Sequence, residues 1–143
     1  MNNVTNNPRE KLACVFGRRS VRAYTNAQVD DDTLRLLLEA AMAAPSAVAK
    51  DPWRFVVVRR PSTLTEIASA LPNGRFLAKA AAGIAVVGDI DAAHDRQLSY
   101  LLQDCSAAIE NLLIAANILG LGACWLGVHP REDRIKRLRE ILS

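Results

Sequence analysis

The sequence predicts an α/β or α+β protein in which helices cover both faces of a small sheet. Three short runs rich in β-branched and aromatic residues, at 53–58, 84–87 and 123–128, are separated by segments with helical spacing of apolar residues. One such segment, 98–119, is apolar on nearly every side, which is typical of a helix that is central or lies in a subunit interface. We therefore expect three layers, α/β/α, with a small mixed sheet and a long central helix, and we expect residues 9–143 to form a single domain.

The N-terminal part is predicted to contain a disordered segment followed by two helices. Residues 1–8 are polar and rich in asparagine, so we expect them to be disordered. Pro8 can open a first helix that ends near Gly17. Asp30 can cap a second helix, which Pro45 ends.

The middle of the chain is predicted to contain two strands with a short helix between them. The run from Trp53 to Val58 predicts a strand. Ser62 can cap a helix over about 64–71, and Pro72-Asn73-Gly74 is a turn. The apolar run 84–87 then predicts a buried strand.

The C-terminal part begins with the long apolar helix, 98–119, which Gly120 and Gly122 end. Residues 123–128 predict a third strand. Pro130 is expected to start a last helix that runs to the end of the chain.

Charge and cysteine pattern exclude several classes of function. The 18 basic and 15 acidic residues give a net charge of only +3, and aromatics are 5% of the chain, which disfavours a nucleic-acid surface. The three cysteines and two histidines lack the spacing of a disulfide framework or a metal site. The apolar runs are too short to span a membrane and the polar N-terminus does not read as a signal peptide, so we expect a cytoplasmic protein.

The most informative residues are Arg18-Arg19-Ser20-Val21-Arg22. Each guanidinium is a planar, permanently charged fork that can hold two phosphate oxygens, and the serine hydroxyl adds a further donor. Because the cluster is confined to one short stretch, it predicts a site for a single phosphate group. The alternative is a basic turn that only contacts solvent.

Two further segments could contact a flat ligand, although each also has an ordinary structural explanation. Pro45-Ser46-Ala47 offers small side chains after a helix, or it only stops that helix. Residues 120–127 place glycines around a strand, which allows close approach to main-chain amides, or the glycines only cap a helix before a core strand. The pattern is not GxGxxG after a strand, so a dinucleotide-binding fold is disfavoured.

Taken in order, these segments resemble the nitroreductase family of FMN-dependent flavoproteins, especially its small members. The resemblance extends over about residues 9–142 and implies the nitroreductase-like α+β fold. It also implies an oxidoreductase that passes hydride from NADH or NADPH, through flavin N5, to a nitroaromatic or quinone. The matching segments are RRSVRAYT (18–25), VDDDTLRLLLEAAMAAPSA (29–47), PWRFVVV (52–58), QDCSAAIENLLIAANILGLGACWLG (103–127) and VHPREDRIKRLREIL (128–142).

The resemblance further implies which residues hold FMN. One group would hold the phosphate and ribityl chain, a second would lie against the isoalloxazine ring from the other subunit of a homodimer, and a third would line the other side. The flavin carries the chemistry, so no catalytic side chain and no metal are implied. The three groups are Arg18, Arg19, Ser20 and Arg22; then Pro45, Ser46 and Ala47; and then Trp125, Leu126, Gly127 and Val128, with the Gly127 amide reaching N5.

The sequence departs from the family pattern in three places. Ala49 stands where the family often has asparagine, and Asp51 stands where it often has glutamine. A carboxylate beside reduced flavin disfavours the anionic form unless Lys50 neutralises it. Family members normally continue past this point into a further strand and a basic segment, so a C-terminal strand and tail are expected to be missing after Ser143.

These departures keep other functions open. The chain could be a degenerate flavin-binding or purely structural homodimer without reductase activity. It could also be a branch of the family with a different reaction, such as flavin cleavage or dehydrogenation. A nucleic-acid module that uses Arg18 to Arg22 is the third alternative, and its affinity would fall steeply with salt.

Overall fold

Two strands and six α-helices make up the regular structure of residues 7–143, the range that the computed structural model describes. Short 3₁₀ turns at Ala47–Ala49, Arg75–Lys79 and His94–Arg96 connect some of them. In chain order the elements are α1 (Pro8–Lys11), α2 (Ala13–Gly17), α3 (Asp31–Met42), β1 (Trp53–Val58), α4 (Pro61–Ala70), β2 (Gly83–Gly88), α5 (Leu98–Ile118) and α6 (Glu132–Leu142).

The sheet consists of β1 and β2, which pair antiparallel from Trp53 opposite Gly88 to Val58 opposite Gly83. Two of the three predicted strands are therefore present at the expected places, and the sheet is antiparallel instead of mixed as predicted. Helices flank the pair and α5 is the long central helix, which confirms the α+β class.

The predicted third strand, 123–128, is wrong. Ala123 forms one isolated parallel bridge with Ser20, in which the Val21 N–H donates to the Ala123 oxygen at 2.9 Å. A strand needs a neighbour that offers successive backbone groups, and the segment beside Ala123 offers only this one bridge. The residues that follow are extended without being part of a sheet, so this bridge is the only parallel pairing near residues 123–128 in the described part of the chain.

Helix α5 joins the rest of the fold because it packs against α2, α3, β1 and β2. Its buried Ala108 contacts a cluster formed with Ala41 and Trp53. Ala116, just over two turns further along α5, packs with Leu34 of α3. Small residues on α5 let α3 approach closely, which fixes the loops that follow both helices.

A second core lies under α4 and α6. Leu64 is almost completely buried there, with Ile67 and Val58 beside it. Leu126 and Val128 pack against this cluster from the C-terminal extended segment. Residues 126 and 128 are thereby fixed by the core.

Several element boundaries differ from the sequence prediction for simple reasons. Helix α4 begins at Pro61, which occupies the first helical position, so Ser62 is inside the helix and is not its cap. The first predicted helix is interrupted at Leu12, and the last begins at Glu132 instead of Pro130. Residues 1–6 of the predicted disordered segment lie outside the described residues, whereas Pro8 is the first residue of α1.

Two predicted helix ends are confirmed. The Asp30 carboxylate accepts the Thr33 N–H at 2.7 Å and caps α3. Gly120, with φ 72°, follows the end of α5, and the Leu121 N–H then donates to the Ala116 oxygen at 2.8 Å. This left-handed residue turns the chain back toward Ser20.

Candidate functional site

The basic segment Arg18–Arg22 follows α2 directly and lies beside Gly122–Ala123. A Cβ at Gly122 would be only 2.8 Å from Val21 Cγ1, so the two chains approach as closely as glycine allows. Together with the Ser20–Ala123 bridge, this contact fixes the basic segment against the segment that begins at Ala123. The structure therefore places the basic segment beside residues 122 and 123, which directly precede the predicted group Trp125–Val128.

Arg18 is the least exposed arginine of the cluster, and its guanidinium is held by α5. Its Nε lies 3.1 Å from Oε1 of Glu110, with side-chain exposures of 30% and 47%. Because Nε faces Glu110, the terminal nitrogens Nη1 and Nη2 remain for another anion.

Arg19 binds backbone carbonyls at the end of α2. Its Nη1 donates to the Phe16 oxygen at 2.6 Å and to the Arg18 oxygen at 2.8 Å, at the C-terminal end of α2. These carbonyls lack helical partners, and a cation beside them is favourable. Arg19 therefore stabilises the turn that presents its neighbours.

Arg22 is exposed, and its charge acts on the nearby Tyr24 phenol. Burial raises the pKa of Tyr24, the Cys124 thiol raises it further, and Arg22 partly opposes both effects. The Tyr24 ring meets Phe76 edge to face, with centroids 6.1 Å apart. Tyr24 is thus a neutral, packed residue that anchors the end of the basic segment.

The second group, Pro45–Ala47, begins a loop that closes on itself. The Ser46 hydroxyl donates to the Asp51 carboxylate at 2.5 Å and accepts the Asp51 N–H at 2.9 Å. The Ala47 N–H donates to Oδ1 of Asp104 on α5 at 2.9 Å. These three bonds hold a loop whose side chains are mostly exposed.

The same loop contains three residues in left-handed backbone conformation. The φ angles are 54° at Val48, 52° at Ala49 and 48° at Asp51. Each costs about 1–2 kcal/mol for a residue with a Cβ, and a β-branched valine there is rare. Such strain persists only where the surrounding contacts enforce it, and here they are the bonds from Ser46 and Asp104.

Asp104 is a buried carboxylate that the sequence analysis did not identify. It is 5% exposed, and its second oxygen, Oδ2, has no hydrogen-bond partner among the described residues. The pKa of the adjacent Cys105 thiol is raised by burial and then by the Asp104 charge. A signal existed in the sequence: Asp104 and Asn111 recur seven residues apart in an otherwise apolar helix, as do Glu110 and Asn117.

The third group, Trp125–Val128, alternates between core and surface. Leu126 and Val128 pack into the α4 core, whereas Trp125 is 46% exposed. No atom lies within 4 Å of a Cβ at Gly127, and the Gly127 N–H has no partner among the described residues. Leu126 and Val128 can thus offer only main-chain atoms to a ligand, and Gly127 offers an open amide.

The structure does not bring Pro45–Ala47 opposite the other two groups within one chain. The Ala47 N–H donates to Asp104 of α5, and Arg18 forms an ion pair with Glu110 of the same helix. Six residues of α-helix rise about 9 Å and turn the side-chain direction by roughly 120°. The two groups therefore lie on different faces of α5.

The described residues provide no metal site and no membrane-spanning helix, and their two main clefts lie away from the predicted site residues. Residues 7–143 contain no group of three or more His, Cys, Asp or Glu that could hold a metal ion. No helix in that range has the length and apolarity to cross a bilayer. Two surface clefts, of about 370 and 270 Å³, are lined by residues 65–78 and by α3 with α5, and neither contains a predicted site residue.

Comparison with known sequences gives a consistent result. The sequence model of the nitroreductase family matches residues 15–82 and 68–143. A protein of Archaeoglobus fulgidus, provisionally named an NADH dehydrogenase/NAD(P)H nitroreductase, is 44% identical over 134 residues. That match covers 94% of this chain and 76% of the relative.

Solved structures show the same relationship. A crystal structure from Parabacteroides distasonis, with the same provisional name, superposes with a TM-score of 0.86 at 38% identity, covering 93% of this chain and 77% of that one. A provisionally assigned nitroreductase of Desulfovibrio desulfuricans, crystallised in complex with FMN, gives 0.80 at 34% identity. Its match covers 96% of this chain and 76% of that one.

Proposed function

The chain belongs to the nitroreductase family, and we propose that it is an FMN-dependent oxidoreductase that takes hydride from NADH or NADPH and reduces a nitroaromatic or a quinone. The names of its relatives and the FMN in one solved neighbour support this reading. The observation that carries the proposal is the fixed contact between the Arg18–Arg22 segment and the chain that leads to the open Gly127 amide.

The described residues fit FMN chemically. Arg18 keeps its terminal nitrogens available, and Ser20 and Arg22 are exposed beside it, so these three would hold the phosphate and ribityl chain. Arg19 would contribute through its charge, since its Nη1 is engaged by two carbonyls. The exposed Trp125 face and the open Gly127 amide would lie along the ring.

When bound, FMN supplies reversible two-electron chemistry, accepting hydride at N5 and passing it on. The task of this chain is to bind and orient. The Gly127 N–H is a donor that no other group of residues 7–143 uses, so it can hydrogen-bond a ring acceptor without losing an existing bond. The small side chains of Ser46 and Ala47 leave room for a planar ligand.

A homodimer is part of the proposal, with Pro45–Ala47 of one copy completing the flavin site of the other. Because Ala47 and Arg18 lie on different faces of α5, one chain alone does not close the site. Apolar side chains left exposed on α3 and α5 suit a second copy of the chain. We also propose that the protein works in the cytoplasm, an inference that rests on the sequence alone.

Anaerobic reduction tests the enzymatic proposal. Protein loaded with FMN should lose its flavin absorbance on addition of NADH or NADPH and regain it when a quinone is added. Comparison of the two nucleotides identifies the donor, and a panel of quinones and nitroaromatics ranks the acceptors. Bound FMN that neither nucleotide bleaches would overturn the reductase assignment.

A structural or degenerate homodimer is the second candidate, and one observation favours it. Ala49 and Asp51 replace the amide side chains expected beside the flavin, and both are in strained backbone conformation. This candidate predicts a stable dimer that does not oxidise NADH or NADPH. A nucleic-acid module has less support, because the 18 basic and 15 acidic residues give a net charge of only +3 and the arginine cluster is confined to residues 18–22.

A further inference from the structure

Arg18 is joined to the central helix by one side chain, Glu110, from a distant part of the sequence. Arg18 Nε and Glu110 Oε1 lie 3.1 Å apart and form an ion pair. Arg18 is only 30% exposed, whereas the Arg19 and Arg22 residues of the same segment are exposed. Glu110 therefore contacts the least exposed arginine of the cluster.

Glu110 contacts the Arg18 guanidinium at Nε, and this leaves the terminal nitrogens for a ligand. A guanidinium carries five N–H donors, one on Nε and four on the terminal nitrogens. Glu110 faces the single Nε donor, so the Nη1–Nη2 edge, which can hold two phosphate oxygens, stays available. A free arginine side chain loses much rotamer entropy when it binds an anion, and a side chain that is already held loses less.

We propose that Glu110 is a positioning residue of the phosphate subsite: it holds Arg18 by Nε, presents the terminal fork, and makes the site select phosphate-bearing flavins over flavins without phosphate. This inference rests on the proposed function. The carboxylate has two opposed effects, since its contact with Nε orients Arg18 while its negative charge repels the phosphate. An amide of the same shape keeps an oxygen facing Nε and removes the repulsion.

Two variants separate these effects. Glu110→Ala removes the acceptor, and Glu110→Gln keeps an acceptor without charge. FMN and riboflavin, which lacks the phosphate, are each titrated by flavin fluorescence; inhibition of FMN binding by inorganic phosphate gives the same comparison if riboflavin is too weak to titrate. Glu66→Gln is the matched control, because Glu66 lies 2.6 Å from Arg137 on α4 and α6, away from the basic segment.

Glu110→Ala should weaken FMN binding about fivefold, the upper range for a partly exposed ion pair, and leave riboflavin binding unchanged. Glu110→Gln should bind FMN at least as tightly as the wild type, and the Glu66→Gln control should match the wild type. Equal losses of FMN and riboflavin affinity in Glu110→Ala would show that the contact is merely structural. Tighter FMN binding by Glu110→Ala would show that the Glu110 charge only repels the phosphate. Either result overturns the proposal. Wild-type protein that binds neither flavin would instead refute the proposed function itself.

Discussion

At the scale of single residues, the loop after α3 depends on one buried carboxylate. Oδ1 of Asp104 binds the Ala47 N–H, 57 residues away in sequence, and the loop contains three strained residues. Sequence reasoning identified Pro45–Ala47 as a possible site but missed Asp104, because an acid in a mostly apolar helix does not reveal which distant amide it will meet. Glu110 was missed for the same reason.

Removing the Asp104 side chain should release this loop. Asp104→Ala leaves the Ala47 N–H without its partner, so we expect the free energy of unfolding to fall by about 1–3 kcal/mol. The loop at residues 46–51 should also become more sensitive to limited proteolysis. Urea denaturation and proteolysis followed by mass spectrometry measure the two effects.

Asp104→Asn is the matched control, since its amide oxygen can still accept the Ala47 N–H. It should unfold within about 1 kcal/mol of the wild type and keep the loop resistant. If Asp104→Ala were as stable and as resistant as Asp104→Asn, the hydrogen bond would not be what holds the loop.

At the scale of elements, sequence prediction worked where the signal was local. The β1 and β2 runs, the Asp30 cap of α3 and the Gly120 end of α5 all follow from neighbouring residues. Residues 123–128 are an apolar run of the kind that predicts a strand, yet whether they join a sheet depends on what lies beside them. Within residues 7–143 only Ser20 forms a bridge there, and no local pattern could predict that.

The Asp30 cap predicts a pH dependence for the stability of α3. The pKa of Asp30 is lowered from 3.8, mainly by the backbone hydrogen bond from Thr33 and then by that residue's side chain. A carboxyl with a depressed folded pKa stabilises the fold fully above its unfolded pKa and loses this contribution as pH falls through the folded value. Asp30→Ala should therefore have a lower urea midpoint than the wild type at pH 7, and the gap should narrow below about pH 4.

Asp30→Asn distinguishes capping from charge. Its neutral amide oxygen can accept the Thr33 N–H at any pH, so its midpoint should lie between those of the other two proteins at pH 7. A gap between wild type and Asp30→Ala that stays constant from pH 7 to pH 3 would contradict the assigned role of the ionised carboxylate.

At the scale of the whole molecule, an apolar groove between α3 and α5 is exposed in the single chain. Ile118 is 64% exposed there, and with Ile114 and Ala43 it lines this groove of about 270 Å³. The sequence shows that α5 is apolar on nearly every side, and part of that apolar surface is exposed in this groove.

A charge in that groove should break the proposed homodimer. In a twofold interface Ile118→Glu introduces the charge twice, so the dimer dissociation constant should rise at least about 100-fold. FMN affinity should fall with it, because in the proposed homodimer each flavin site is completed by the other copy. Ser62→Glu, an exposed change at the start of α4, is the control and should remain dimeric. Sedimentation velocity measures the result, and an unchanged dimer would show that α5 is not the interface.

The most direct test of the central claim, that the Arg18–Arg22 segment holds FMN, is a titration of FMN into the wild type and Arg18→Ala. The wild type should bind one FMN per chain with a shifted flavin absorption spectrum. Arg18→Ala should bind about 10- to 100-fold more weakly, because two charge-assisted hydrogen bonds to phosphate are lost. Arg35→Ala, an exposed arginine on α3, should match the wild type. Wild-type protein that takes up no FMN, or an Arg18→Ala variant that retains full affinity, would contradict the assignment.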